Sequence, residues 1–219
     1  MSHAQTDTES ATSSSLMERQ AQRPGNLAHT LTWRYRLFWA GKYVGSGVLL
    51  SLCFSPCEWS WFAWIAMIPA IWMGACQWER RPLLGGYLFG LGHFATTMLW
   101  LREIFVLVPL LLGGVLAIYP ALWLWLSQSC YRNLLRSSKH DLEPIADPTR
   151  PQPRLSCPKA LLLAAMISVC WIALEWARGK LLSGMPWNQL GISQWKQTGI
   201  LPVAAIAGVS GISFIIIAY

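Results

Sequence analysis

Hydrophobic and polar positions alternate along this chain in long blocks, not residue by residue. Six apolar blocks reach, or nearly reach, the length of about 20 residues that a helix needs to cross a bilayer. None of them alternates with the period of two expected for the strands of a membrane barrel. We therefore predict an all-α membrane protein, a polytopic bundle of about six transmembrane helices. The predicted spans are 39–56, 59–78, 83–101, 106–128, 160–176 and 200–219.

Two polar segments flank or interrupt these blocks. Residues 1–36 are rich in small polar side chains and lack the charged-then-apolar order of a signal peptide. They predict a disordered cytoplasmic tail. Residues 132–158 combine several prolines with mixed charge, which predicts a flexible cytoplasmic loop. The predicted organisation is thus a tail at 1–36 followed by a transmembrane bundle at 37–219.

The basic residues are distributed unevenly between the two predicted sides of the membrane. Of the 17 Lys and Arg residues, 13 fall before or at the start of the first span, after the second span or around the loop after the fourth span. The other four are Arg102, Arg178, Lys180 and Lys196. Cytoplasmic segments carry the excess of positive charge in membrane proteins. We therefore predict a cytoplasmic N-terminus, with the connections after spans one, three and five facing outward.

Composition narrows the functional classes further. Charged residues make up 12% of the chain and hydrophobic residues 54%, whereas a soluble domain carries about 25% charged residues. An ordinary soluble domain is therefore excluded. The net charge of +7 has no nucleic-acid-reading motif beside it, so we expect no nucleic acid partner. The six cysteines lack accompanying His or acidic clusters, so we expect no metal site and no cofactor.

The outward connection after the fifth span holds the most informative polar residues. Glu175 and Arg178 are three residues apart, so on a helix they share a face and can form an ion pair. Trp187 fits the aromatic belt at a membrane interface. One interpretation is a helix-ending ion pair with an anchored re-entrant loop. The other is a loop that lines a path for a lipid headgroup or acyl chain, with Glu175, Arg178, Trp187 and Gln194 as candidate lipid-facing residues.

Three further ionisable residues lie in or beside the third span. His93 is at mid-span, where ionisable residues are functional candidates by default. Its small and hydroxyl-bearing neighbours favour a neutral imidazole hydrogen-bonded to an adjacent helix. Arg102 and Glu103 are adjacent at the outward end. Because neighbours on a helix do not face each other, we expect these two side chains to extend separately to the interface.

A set of short motifs gives the chain a family resemblance. The run from Glu175 to Gln194 contains EW-x-R, then L-S-G-M-P-W, then G-I-S-Q, and Gly211-Ile212-Ser213-Phe214 follows. Earlier, Phe54-Ser55-Pro56 and the glycines before Trp100 fit the same pattern. In these motifs the chain, over about 41–219, resembles the N-terminal membrane half of apolipoprotein N-acyltransferase.

The resemblance implies a fold and a reaction. Members have about eight membrane helices that carry a periplasmic nitrilase-like domain, and they lie in the bacterial inner membrane. They transfer an acyl chain from a phospholipid donor to the N-terminal amine of a diacylglyceryl-lipoprotein. A Glu-Lys-Cys triad in the nitrilase-like domain forms a thioester on its cysteine, which is covalent catalysis by an activated thiolate.

The chain departs from the family where the catalytic domain would follow. No residue here corresponds to the Glu-Lys-Cys triad, so we assign no catalytic residue. We expect a truncated or split enzyme that is inactive alone, and a separately encoded nitrilase-like half is an additional candidate partner. The alternative is a non-enzymatic lipid-binding or assembly subunit, or a small transporter. A transporter would show repeated halves with broken helices, and no internal repeat is evident.

Overall fold

The computed structural model describes residues 33–34, 36–72, 81–136, 156–181 and 184–219. The chain divides into two compact units, Met1–Gly41 and Lys42–Tyr219. In the first unit, residues 33–34 and 36–41 are helical. All contacts considered below lie within the second unit.

Every regular element in the described segments is helical, so the all-α prediction is confirmed. The described segments also contain two short 3-10 helices, Leu99–Glu103 and Leu190–Gln194. The α-helices are α1 (36–51), α2 (Phe62–Ile71), α3 (Pro82–Thr97), α4 (Val108–Leu116), α5 (Ile118–Arg136), α6 (Cys157–Arg178) and α7 (Leu201–Ala218).

Three helical segments of the described chain are long and apolar enough to cross a membrane. They are Val108–Arg136 with 29 residues, which joins α4 and α5, Cys157–Arg178 with 22 and Leu201–Ala218 with 18. Helix α2 is apolar but has only 10 residues. A helical membrane protein fits these lengths, whereas the count of six spans and the side of the N-terminus remain predictions. Predicted features within residues 1–32, 73–80 and 137–155 lie outside the described residues.

Several predicted boundaries need correction. Helix α1 ends at residue 51, not 56, because turns begin there: the Phe54 N–H donates to the Ser51 carbonyl at 3.1 Å. Helix α3 ends at Thr97, and the tighter 3-10 helix covers the rest of the third span. Helix α5 continues to Arg136, eight residues beyond the predicted end at 128 and into the predicted loop. Hydropathy shows where the apolar stretch ends, and a helix can continue beyond that point with basic side chains.

Helix α3 is central to the packing, because glycines let its neighbours approach closely. A Cβ placed on Gly92 would lie 2.5 Å from the Val44 carbonyl oxygen of α1, and one on Gly86 would lie 2.5 Å from the Pro120 carbonyl oxygen of α5. From the other side, a Cβ on Gly113 of α4 would lie 2.8 Å from the backbone nitrogen of Ala95. Small residues at such crossings are typical of membrane helix packing. The glycines therefore act in packing, as the sequence indicates.

Helices α5, α6 and α7 extend the bundle from α3. Trp123 of α5 is buried, donates its indole N–H to the Ile167 carbonyl of α6 at 3.1 Å, and packs edge-on against Trp171 with ring centroids 4.9 Å apart. Helix α7 packs on α6 and is interrupted at Gly208, whose φ of 66° lies in the left-handed region that favours glycine. The packing brings the C-terminal end of α6 against α7 and the second 3-10 helix, where the candidate residues lie.

Candidate functional site

Glu175 joins three elements at the end of α6. Its side chain is 6% exposed. One carboxylate oxygen, Oε1, accepts the backbone N–H of Leu190 at 2.7 Å, and the other, Oε2, accepts the Ser213 hydroxyl at 2.9 Å. Leu190 begins the second 3-10 helix and Ser213 lies on α7. One carboxylate thus ties α6 to both elements that follow it.

Ser213 extends this connection by one more hydrogen bond. Its hydroxyl oxygen accepts the Gly191 N–H at 2.9 Å while its proton goes to Glu175. The first N–H groups of a helix have no partner within the helix, and a negative charge is favourable there. Glycine is required at 191, because a Cβ would lie 2.3 Å from the Val209 carbonyl oxygen. The Gly-x-Ser-Gln motif therefore begins at a point of close backbone contact.

Arg178 is also buried, with 4% exposure. Its Nη2 donates to the Asn188 carbonyl at 3.4 Å, and its guanidinium carbon lies 5.0 Å from the centre of the Phe94 ring. Its Nε has no hydrogen-bond partner within the described part of the chain. The guanidinium therefore connects α6 to α3 and to residue 188 of the connection between α6 and α7.

The ion pair between Glu175 and Arg178, which belongs to one of the two interpretations of the sequence, is not formed. The two residues share a helix face and interact electrostatically, but no direct contact within 4.0 Å joins them among the described residues. Each side chain is engaged elsewhere, because Leu190 and Ser213 occupy the carboxylate while Asn188 and Phe94 hold the guanidinium.

Gln194 is fully buried, with 0% exposure. Its Nε2 donates to the Ser60 carbonyl at 2.8 Å and to the Ser193 hydroxyl oxygen at 2.9 Å. Its Oε1 accepts the Trp64 indole N–H at 3.3 Å. The amide therefore links the connection between α6 and α7 to residues 52–61, which we call the α1–α2 loop.

Trp187 is the one candidate among the four with substantial exposure, at 48%. Its ring centroid lies 5.7 Å from that of Trp100, at the first 3-10 helix. The structure thus places three of the four candidates inside the protein and one at its surface. Burial removes Glu175, Arg178 and Gln194 from direct lipid contact in this conformation, and contact between Trp187 and lipid remains a prediction.

A cleft beside Trp100 was not predicted from the sequence. Its volume is about 690 Å³, within the range of about 300–1,000 Å³ typical of small-molecule sites. The α1–α2 loop forms one wall, and the end of α3 with the first 3-10 helix forms another. We call it the Trp100 cleft. Its lining includes Ser51, Phe54, Cys57, Thr97, Trp100 and Asn188. The hydroxyl-bearing residues that line the cleft come from separate segments of the sequence, and the sequence did not predict that they lie together.

Of two predictions about ionisable residues near this cleft, the one about Arg102 and Glu103 is wrong. Arg102 and Glu103 do face each other: Arg102 Nε donates to Glu103 Oε1 at 3.1 Å. Both side chains are more than two-thirds exposed, at 67% and 78%, so these long side chains have room to bend together. His93 is buried between Phe54 and Phe94. Its Nδ1 has no partner in the described segments, so this atom does not make the predicted hydrogen bond to a neighbouring helix.

The described residues contain no group of three His, Cys, Asp or Glu side chains that could hold a metal ion. The described cysteines are free thiols: Cys53 is buried, Cys57 and Cys157 are exposed, and Cys130 and Cys170 are half-buried. The arrangement offers hydrogen-bonded anchoring of loops and an open cleft. A nucleophile with an adjacent base is not seen among the described side chains.

Comparison with known proteins identifies similar sequences. Residues 46–219 match the sequence profile of the apolipoprotein N-acyltransferase N-terminal domain. An apolipoprotein N-acyltransferase of Geobacter metallireducens is 27% identical over 184 residues, covering 79% of this chain and 30% of the relative. One from Methylococcus capsulatus is 28% identical over 185 residues, covering 78% and 31%. One from Vibrio vulnificus is 28% identical over 205 residues, covering 86% and 34%. The chain thus spans about a third of the length of these relatives.

Proposed function

Because the chain belongs to the apolipoprotein N-acyltransferase family, matching its N-terminal domain over residues 46–219, we propose that it is the membrane part of such an enzyme. The complete enzyme would transfer an acyl chain from a phospholipid to the N-terminal diacylglyceryl-cysteine of a lipoprotein. The covalent step would belong to a nitrilase-like domain with a Glu-Lys-Cys triad, and these 219 residues would position lipid beneath it.

The observation that supports this role best is the convergence of the Glu175-to-Gln194 motif on one side of the Trp100 cleft. Glu175 and Gln194 anchor the connection that carries Asn188 and Trp187. Asn188 lines the cleft and Trp187 packs on Trp100 at its edge. A rigid wall beside an open cleft suits the positioning of a long flexible substrate, because prior ordering of the protein lowers the entropy lost on binding.

Each candidate residue takes a role that its position allows. Trp187 is exposed, so it would contact an acyl chain or headgroup directly. Arg178 is buried, so it would act through Asn188, whose carbonyl it binds, and not through direct contact with a phosphate. Glu175 and Gln194 would hold the connection in place.

The proposal is tested by an acyl-transfer assay on the purified chain in phospholipid vesicles. A diacylglyceryl-cysteine peptide serves as acceptor, and a nitrilase-like protein containing the triad is added in one arm. We expect transfer only in that arm, and a lower turnover there for Trp187→Ala. Transfer by the chain alone would overturn the proposal, because one of its own cysteines would then be the nucleophile. Lipid binding without transfer in either arm would favour the non-enzymatic alternative.

We propose a multi-pass location in the bacterial inner membrane with a cytoplasmic N-terminus. Two exposed thiols provide a matched test, since Cys57 lies in a predicted outward connection and Cys157 at the end of the predicted cytoplasmic loop. In intact spheroplasts, a membrane-impermeant maleimide should modify Cys57 and spare Cys157. Both thiols should react after lysis. Modification of Cys157 but not Cys57 before lysis would require the opposite orientation.

A further inference from the structure

The α1–α2 loop, which forms one wall of the Trp100 cleft, is held by side chains of a distant segment. Residues 52–57 of this loop are turns and not helix. Gln194 donates to the Ser60 carbonyl at 2.8 Å across 134 residues of sequence. Lys196 forms an ion pair with Glu58 in the same loop. Two contacts from one short stretch therefore reach this wall from outside the cleft.

The two contacts differ in their expected strength. The Gln194 amide is fully buried and is hydrogen-bonded to Ser60, Ser193 and Trp64, so a lost bond leaves a polar group without water to replace its partner. The side chains of Lys196 and Glu58 are 47% and 32% exposed. Solvent competes with such a pair, and exposed ion pairs contribute little. The buried amide is therefore the dominant tie.

The same stretch also leads to a residue that lines the cleft. Gln194 ends the second 3-10 helix, which Glu175 anchors to α6 through the Leu190 N–H. Asn188, two residues before that helix, lines the cleft. A single anchored segment thus carries one lining residue of the cleft and the side chain that holds the α1–α2 loop.

We infer that Gln194 is a positioning residue that sets the Trp100 cleft by fixing the α1–α2 loop against the connection between α6 and α7. It touches neither the cleft nor a ligand in it, and it acts through the Ser60 carbonyl. That the cleft receives lipid rests on the proposed function. The position of the loop does not, so the test below can fail independently of that function.

The loop contains its own pair of reporters. Cys53 is 2% exposed and Cys57 is exposed. A small maleimide can reach the Cys53 thiol only when the loop opens, whereas Cys57 reacts at all times. Cys170 on α6 reports on loosening of the bundle as a whole. Reaction rates at the three positions, measured by mass spectrometry of the peptides, separate local opening from general unfolding.

The first variant is Gln194→Met, which removes the amide at similar volume and introduces no charge. We expect the labelling rate of Cys53 to rise about tenfold, equivalent to about 1.4 kcal/mol of loop opening, while Cys57 and Cys170 keep their rates. The matched control is Trp64→Phe, which removes the indole donor to Gln194 Oε1 but spares the bond from Gln194 Nε2 to the Ser60 carbonyl. In that control Cys53 should stay protected.

A second variant, Gln194→Asn, covers the case in which Gln194→Met does not fold, because its shorter side chain keeps an amide but draws it away from the Ser60 carbonyl. An unchanged Cys53 rate in Gln194→Asn would overturn the inference in the same way. A third variant isolates the ion pair. Glu58→Gln changes a partly exposed residue and weakens only the ion pair with Lys196, and we expect Cys53 labelling to rise by about twofold or less. An unchanged Cys53 rate in folded Gln194→Met would overturn the inference. So would equal acceleration at Cys53 and Cys170, which would mean that Gln194 stabilises the whole bundle, or a larger effect of Glu58→Gln than of Gln194→Met.

Discussion

Two connections near the Trp100 cleft carry similar residues but are built in opposite ways. The connection between α3 and α4 contains Arg102 and Glu103, and the one between α6 and α7 follows Glu175 and Arg178. In the first, the two charges bond to each other and are largely exposed. In the second, both charges are buried and each bonds to a different backbone group.

The residues around the charges also differ in burial, being exposed in the first connection and largely buried in the second. Residues 104–107 between α3 and α4 expose Ile104, Phe105, Val106 and Leu107 by more than half of their surfaces. Leu190 to Gln194 is largely buried, and its N–H groups meet the Glu175 carboxylate and the Ser213 hydroxyl. The role of two neighbouring charged residues therefore cannot be inferred until their burial is known. An exposed pair contributes little to the free energy of unfolding. Buried charges, in contrast, bond to groups of several elements and hold these elements together.

The largest expected effect distinguishes the two carboxylates directly. In Glu175→Gln, the new amide N–H faces a donor, so either the Leu190 N–H or the Ser213 hydroxyl loses its acceptor. We expect the free energy of unfolding to fall by about 3 kcal/mol, measured by denaturation in detergent micelles with circular dichroism. The matched change Glu103→Gln should cost less than about 0.5 kcal/mol. Equal costs for both changes would remove the basis of the comparison.

The next effect concerns backbone contact in the buried connection. In Gly191→Ala, the new methyl group meets the Val209 carbonyl oxygen, so α7 must shift away. We expect a loss of about 2 kcal/mol in the same unfolding measurement. Gly199→Ala is the control, because a Cβ at that position has no atom within 4 Å. A stable Gly191→Ala protein with Leu190 still bound to Glu175 would show that this contact is looser than the structure indicates.

A smaller effect isolates the hydroxyl that links Glu175 to Gly191. Ser213→Ala removes one donor to the carboxylate and one acceptor for the Gly191 N–H. Its expected cost is about 1–2 kcal/mol, below that of Glu175→Gln because the Leu190 bond survives. Ser129→Ala, at an exposed hydroxyl bonded to the Trp125 carbonyl, serves for comparison and should be close to neutral. A cost above that of Glu175→Gln would mean that the Ser213 hydroxyl contributes more to stability than the Glu175 carboxylate does.

The smallest effect tests whether the two connections support each other. Trp100 and Trp187 form the ring contact between them. A double-mutant cycle with Trp100→Ala and Trp187→Ala should give a coupling energy of about 0.5 kcal/mol, since both rings are about half exposed. Additive single effects would mean that the connections are independent in stability.

Much of the fold was predictable because helix formation in an apolar block is local. The apolar blocks that contain α5, α6 and α7 were recognised from length and hydropathy alone. The ends of the helices were less predictable. Helix α1 stops before its apolar block does, and α5 continues past its own, because turn hydrogen bonds and flanking basic residues decide helix ends and hydropathy does not register them.

The candidate residues show where local reasoning stops. Spacing placed Glu175 and Arg178 on one helix face correctly, but the ion pair that one of the two interpretations included is not formed. Gln194 was expected at a lipid-facing surface, and the structure buries it completely. Spacing also predicted that Arg102 and Glu103 would point apart, whereas they pair. The groups that Glu175, Arg178 and Gln194 bind lie on other elements of the fold. The space in which Arg102 and Glu103 bend together is at the protein surface.

The helical membrane class and, through the motifs, the family were predictable from the sequence alone. These properties depend on runs of neighbouring residues, and an apolar stretch of given length has few alternatives in a bilayer. Only the tertiary structure decided which polar side chains are inside. The partners of Glu175 lie 15 and 38 residues away, and those that Gln194 binds in and beside the α1–α2 loop lie 134 and 130 residues away. A buried polar group needs a specific partner, and only the packing of α1, α2, α6 and α7 brings such partners together.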